Sequence, residues 1–159
     1  MTDTVIQRSH ETEQDDRTLR ISRIFDAPPA AVFRAWTDPE LLVKWWGPEG
    51  CSATVTKLDL QPGGTWRTSI INADGEEHFV GGTYQEINPP ERLVFTWAWE
   101  NVEVKNSTPG HQTTITLEFQ DHDGSTEMVL TQTRFESTDI RDLHDTGWSS
   151  SLNCLNNIL

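Results

Sequence analysis

The sequence predicts an α+β domain in which a curved antiparallel sheet of about seven strands wraps a long C-terminal helix, with two short helices after the first strand. Three observations predict it. Turn signals recur every eight to twelve residues or so from 52 to 134, the rhythm of an antiparallel meander. Apolar residues then switch to helical spacing, with Trp148, Leu152, Leu155 and Leu159 on one stripe. The strands between those turns are apolar on one side, and a one-sided sheet needs a cover.

The elements follow in order. Residues 1–16 are polar and charged without an apolar run, so a flexible tail is expected there, with a single domain over 17–159. Leu19, Ile21, Arg23 and Phe25 alternate with Arg20, Ser22 and Ile24 as a half-buried first strand, which Ala27-Pro28-Pro29 ends. Val32, Phe33 and Trp36 share one side of a helix built on Ala30, Ala31 and Ala35. Asp38 is an expected N-cap for a second short helix, with Pro39 at its first position and Glu40 favoured by the helix dipole. Leu41, Leu42 and Trp45 form its apolar face and Gly47-Pro48 stops it.

Turns at Pro62-Gly63-Gly64, Ala73-Asp74-Gly75, Asn88-Pro89-Pro90, Thr108-Pro109-Gly110 and Asp121-His122-Asp123-Gly124 divide the next region into six strands. These fall near 52–60, 64–72, 77–87, 91–101, 111–120 and 125–134. The last helix is expected over 139–159. Gly147 either marks its start or permits close packing, because a glycine inside a helix costs about 1 kcal/mol.

In the strand over 91–101, Leu93, Phe95, Trp97 and Trp99 share one face and Val94, Thr96, Ala98 and Glu100 the other. Ile115, Leu117 and Phe119, and likewise Met128 and Leu130, continue the apolar face, and the C-terminal helix is the long amphipathic element left to cover it. Seven tryptophans are many for 159 residues, and at least Trp66, Trp97, Trp99 and Trp148 are expected to point toward that interface as rigid aromatic groups. They either fill an ordinary core or line an apolar cavity. On the second reading the walls are Trp66, Phe95, Trp97, Trp99, Leu117, Met128, Leu130, Trp148 and Leu152. Thr68, Tyr84 and Gln132 are then the polar groups that orient a ligand, and Trp45 and Trp46 stand at the mouth, as packing residues or as a gate.

The composition narrows the chemistry. Lys plus Arg total 12 against 25 Asp plus Glu, so the field repels phosphate backbones and anionic lipid headgroups, and neither nucleic acid nor a membrane is an expected partner. With no signal peptide or apolar span, a cytoplasmic location is expected, where Cys51 and Cys154 remain thiols in packing roles. The Asn106-Ser107-Thr108 acceptor pattern carries no weight there. His10, His78, His111, His122 and His144 lack metal-site spacing, so no metal and no cofactor are expected. His78 and His144 can both reach the pocket rim. No nucleophile motif or isolated carboxylate pair stands out, so no catalytic residue is assigned. The loops at 72–75 and 121–124 superficially suggest calcium sites but read better as hairpin turns.

Several phrases run in a familiar order: Arg23-Ile24-Phe25-Asp26-Ala27-Pro28, Val32-Phe33-Arg34-Ala35-Trp36-Thr37-Asp38-Pro39-Glu40, Trp45-Trp46-Gly47-Pro48, Pro62-Gly63-Gly64, the run from Tyr84 to Phe95, and Gly147-Trp148. With this element order the chain resembles the SRPBCC or START-like superfamily of helix-grip folds. More closely, it resembles bacterial domains related to the C-terminal half of the heat-shock protein 90 ATPase activator. The resemblance implies a cavity between sheet and last helix that accepts a small hydrophobic or aromatic molecule. Because scaffold members include lipid carriers, polyketide cyclases and chaperone cofactors, it does not name the ligand. A chaperone, in the setting of a stress response, and a second copy of the chain as a homodimer are the alternative partners. A cyclase-like enzyme is the remaining alternative activity.

Overall fold

A computed structural model describes residues 15–100 and 109–159. Residues 1–14 of the expected tail, His10 and the Asn106-Ser107-Thr108 pattern lie outside the described residues. A 3-10 turn (Asp15–Arg17) precedes β1 (Leu19–Phe25), α1 (Pro29–Thr37) and α2 (Pro39–Leu42). Six strands follow: β2 (Ser52–Leu58), β3 (Thr65–Ile71), β4 (Glu77–Asn88), β5 (Arg92–Trp99), β6 (Thr113–His122) and β7 (Ser125–Thr133). The chain ends in α3 (Thr138–Ile158), which runs unbroken through Gly147.

All seven strands form one antiparallel sheet in the order β1-β7-β6-β5-β4-β3-β2. The meander therefore folds in sequence order, and β1 crosses over to pair with β7, Leu19 opposite Gln132 and Phe25 opposite Thr126. Bulges between Val55 and Lys57 and between Tyr84 and Glu86 shift the register, and such bulges bend a strand and raise its local twist.

Local chemistry accounts for the boundaries. The Asp38 carboxylate accepts from the Glu40 backbone N–H at 2.9 Å, capping α2. Ser137 caps α3 by accepting from Ile140 N–H at 3.2 Å. At the β6–β7 hairpin, Asp123 and Gly124 both have positive φ, 57° and 94°, as a two-residue type I′ loop requires. The Asp121 carboxylate accepts from Gly124 N–H at 3.0 Å, and Asn72 Oδ1 accepts from Asp74 and Glu76 N–H in the β3–β4 loop, so both acidic loops use these side chains to close turns.

The alternation predicted for β5 holds on the helix side, where Leu93, Phe95 and Trp97 are buried. On the opposite side it fails, because Val94 and Thr96 are buried as well. The neighbouring β4 carries Gly81-Gly82, and a Cβ on Gly82 would stand 1.9 Å from the Thr96 carbonyl oxygen. Missing side chains let the backbones close together there, and Thr96 Oγ1 accepts from Thr83 N–H at 2.8 Å.

Candidate ligand pocket

All seven tryptophans join in one cluster between sheet and helices. Trp36 meets Trp45 at 4.6 Å between ring centroids, Trp46 at 6.0 Å and Trp148 at 5.7 Å. Trp46 in turn meets Trp66 and Trp97, and Trp97 meets Trp99 at 5.5 Å and Trp148 at 5.2 Å. Mostly edge-to-face or tilted, these contacts are the geometries indole quadrupoles favour, and they make the cluster a rigid layer.

The cluster ends in a pocket of about 510 Å³ between the β3–β5 part of the sheet and the first half of α3. Trp46, Trp97, Trp99 and Trp148 form its aromatic walls, with Ile70, Ile140 and Leu143 adding aliphatic surface. Pro48 and Cys51 close one side, on the segment after α2. Gly47, with φ of +98°, turns that segment against Ile70, where a Cβ would approach the isoleucine Cγ2 to 3.0 Å. Glu49 N–H donates to Ser150 Oγ at 2.8 Å and fastens the segment to α3. On the helix, Gly147 faces the pocket without a side chain, its nearest neighbour being Pro48 Cγ, 4.0 Å from where a Cβ would stand.

Polar groups of the walls are mostly engaged with one another. Trp46 Nε1–H donates to Thr68 Oγ1 at 2.9 Å and Trp148 Nε1–H to Gln132 Oε1 at 2.9 Å. Gln132 Nε2 donates onward to Thr113 Oγ1 at 2.8 Å, so this amide bridges helix and sheet. Trp99 Nε1–H donates to His144 Nε2 at 3.1 Å, which requires that nitrogen to be an acceptor. The proton of His144 then sits on Nδ1 and is donated to the Ile140 carbonyl at 2.9 Å. Burial lowers the pKa of this imidazole below its ordinary value, against weaker opposing effects of the Ile140 carbonyl and Glu136. His144 is consequently a neutral strut across the gap. Two buried polar atoms on the walls, Trp97 Nε1 and His78 Nδ1, have no hydrogen-bond partner. His78 Nε2 lies 3.9 Å from Glu76 Oε1 at the rim, and Asn72 lines the same edge. Burial raises the pKa of the Cys51 and Cys154 thiols, so both stay protonated.

A family model described as Activator of Hsp90 ATPase homolog 1-like protein matches residues 26–159. The chain belongs to this family. Solved structures similar to this Activator of Hsp90 ATPase homolog 1-like chain agree in fold. A Chromobacterium violaceum protein has TM-score 0.80 at 26% identity, covering 89% of this chain and 96% of its own. A Mycobacterium smegmatis protein has TM-score 0.77 at 28% identity, covering 92% of each chain. The AHSA1 protein of Silicibacter pomeroyi has TM-score 0.75 at 27% identity, covering 88% of this chain and 95% of its own. No curated protein matches the chain. No helix among the described residues is long and apolar enough to cross a membrane.

The expected lining of the cavity divides in two. Trp97, Trp99 and Trp148 line the pocket, and so does Trp46 from the expected mouth. Trp45 does not; it is 2% exposed, donates to the Ala35 carbonyl at 3.0 Å and docks α1 against the chain that follows α2. Trp66, Thr68, Tyr84, Phe95, Leu117, Met128, Leu130, Gln132 and Leu152 also lie away from the pocket lining, all 0–4% exposed in packed core. The division has a physical cause: α1 inserts Trp36 and Phe33 over this part of the sheet, against Phe95 at 6.4 Å and Phe119 at 5.5 Å. Tyr84 is so enclosed that desolvation pushes its phenol above the ordinary range, and Thr68 and Gln132 serve indole N–H groups.

Sequence reasoning did not place Ile70, Cys51, Asn72, Glu76, Ile140, Leu143, Ser150 or Ser151 in the lining. For part of this a signal existed. Ile140, His144, Gly147 and Ser151 recur at helical spacing and continue the Trp148 side of α3. Of the two rim candidates named from the sequence, His78 and His144, both line the pocket.

Proposed function

We propose that this chain is a non-catalytic binding protein for a small apolar or aromatic molecule, held between β3–β5 and the first half of α3, and that it works in the cytoplasm. The observation that carries the reading is the pocket of about 510 Å³ walled by four indoles. Ligand sites commonly fall in the range of about 300–1,000 Å³, with mostly apolar walls and a few placed polar groups. The non-catalytic part is supported by the polar groups' occupation. His144 has both ring nitrogens tied, three of the four wall indoles donate within the protein, and among the described lining imidazoles only His78 keeps an unpartnered nitrogen.

Quenching of tryptophan fluorescence by uncharged aromatic compounds tests the reading. The expected result is saturable quenching that is lost when Gly147→Phe places a ring in the pocket. Flat titrations with the unmodified protein would remove the proposal. The family description supports a second reading, an interaction with the Hsp90 ATPase. An unchanged ATPase rate of the chaperone across a titration with this chain would count against it.

A further inference from the structure

We infer that the pocket ranks aromatic ligands by charge, taking an aromatic amine as its ammonium cation ahead of the uncharged isostere and rejecting the carboxylate. This deepens the binding reading above and rests on it. Among the described residues that line the pocket there is no lysine or arginine, and Glu76 is the single carboxylate. His144 cannot act as a cation while its Nε2 accepts from Trp99 Nε1–H at 3.1 Å, since a second ring proton would point at the indole proton. His78 stands at the rim with its Nε2 3.9 Å from Glu76 Oε1, so the other lining imidazole already has a carboxylate beside it.

A carboxylate entering this space would exchange water for carbon walls. It would find no countercharge among the described lining residues, and a charge buried in that way is heavily penalised. The neutral donors do not compensate. Trp46, Trp99 and Trp148 direct their N–H groups to Thr68, His144 and Gln132, leaving Trp97 Nε1 as the wall indole donor without a partner. That donor, the unpartnered His78 Nδ1 and the neutral Asn72, Thr146, Ser150 and Ser151 side chains of the lining do not replace the hydration of an anion. An ammonium group meets the reverse situation, because indole faces attract cations and Glu76 stands at the rim. The formal net charge of −13 adds a long-range field of the same sign preference.

Calorimetric titration with three probes of one shape tests the ranking: 2-naphthylmethylamine, 2-naphthylmethanol and 2-naphthoate, near neutral pH and at low salt. The amine is expected to bind about fivefold tighter than the alcohol, and the carboxylate at least about tenfold weaker than the alcohol. Glu76→Gln and added salt should both narrow the gap between amine and alcohol. Binding of the carboxylate as tight as that of the alcohol overturns the ranking while the binding reading stands, and so does an amine–alcohol gap indifferent to Glu76→Gln. Failure of all three probes to bind overturns both.

Discussion

Gly147 offers the sharpest check on how the helix and the pocket coexist. It lies inside α3, nine residues after the first helical position Thr138, where glycine is about 0.8–1 kcal/mol less favourable than alanine. Its φ is not among the positive values of the chain, so an L side chain fits the backbone. A Cβ built there meets only Pro48 Cγ, at 4.0 Å, an ordinary van der Waals distance. Gly147→Ala should therefore recover most of the helix penalty, a gain of about 0.5–1 kcal/mol. For a chain of this size that raises the melting temperature by about 2–3 °C. Thermal unfolding followed by far-ultraviolet circular dichroism, with urea titration as a second measure, reads the change. A lower melting temperature would refute the reasoning, since it would mean that α3 needs the bare backbone for contact rather than tolerating it beside an open space.

Three further perturbations probe the scaffold. Gln132→Leu removes the acceptor of the Trp148 indole and the donor to Thr113, so it should cost about 1–3 kcal/mol in chemical denaturation, and a neutral result would show that the bridge carries no stability. Gly82→Ala forces a Cβ to within 1.9 Å of the Thr96 carbonyl oxygen, where backbone must move, and a loss of more than about 2 kcal/mol is expected; wild-type stability would contradict the close approach of β4 and β5. His144 has a folded-state pKa below its ordinary 6.5, so the unfolded chain binds the proton more readily. Its contribution to stability is complete above that value and is lost as pH falls from about 6.5 toward the lowered pKa. Denaturation midpoints of the wild type should accordingly drop more steeply than those of His144→Phe between about pH 7 and 5, and parallel curves would dismiss the strut.

The sequence by itself determined the element order, the meander and the side of the sheet that faces α3. These follow from local chemistry: period-two apolar runs, turn residues at fixed spacing, Asp38 and Pro39 opening a helix, and a Trp148–Leu152–Leu155 stripe closing the chain. The same signals named Trp97, Trp99 and Trp148 as neighbours across the interface and marked His78 and His144 as residues within reach of it. Which part of that interface is filled and which part is open was decided only in three dimensions. Periodicity tells that Phe95, Leu117 and Leu130 point inward, yet it carries no information about what meets them there. Trp36 and Phe33 of α1 arrive over β5 and β6 because β1 and β2 lie at opposite edges of the sheet, so the connection between them carries the helix pair across it. At the other end the partners are a glycine on α3 and a short segment held by Gly47 and Pro48, too small to fill the space between Trp97, Trp99 and the helix. A cavity is a shortage of volume among residues distant in sequence, and side-chain volumes can be compared across a gap only after the fold has set its width.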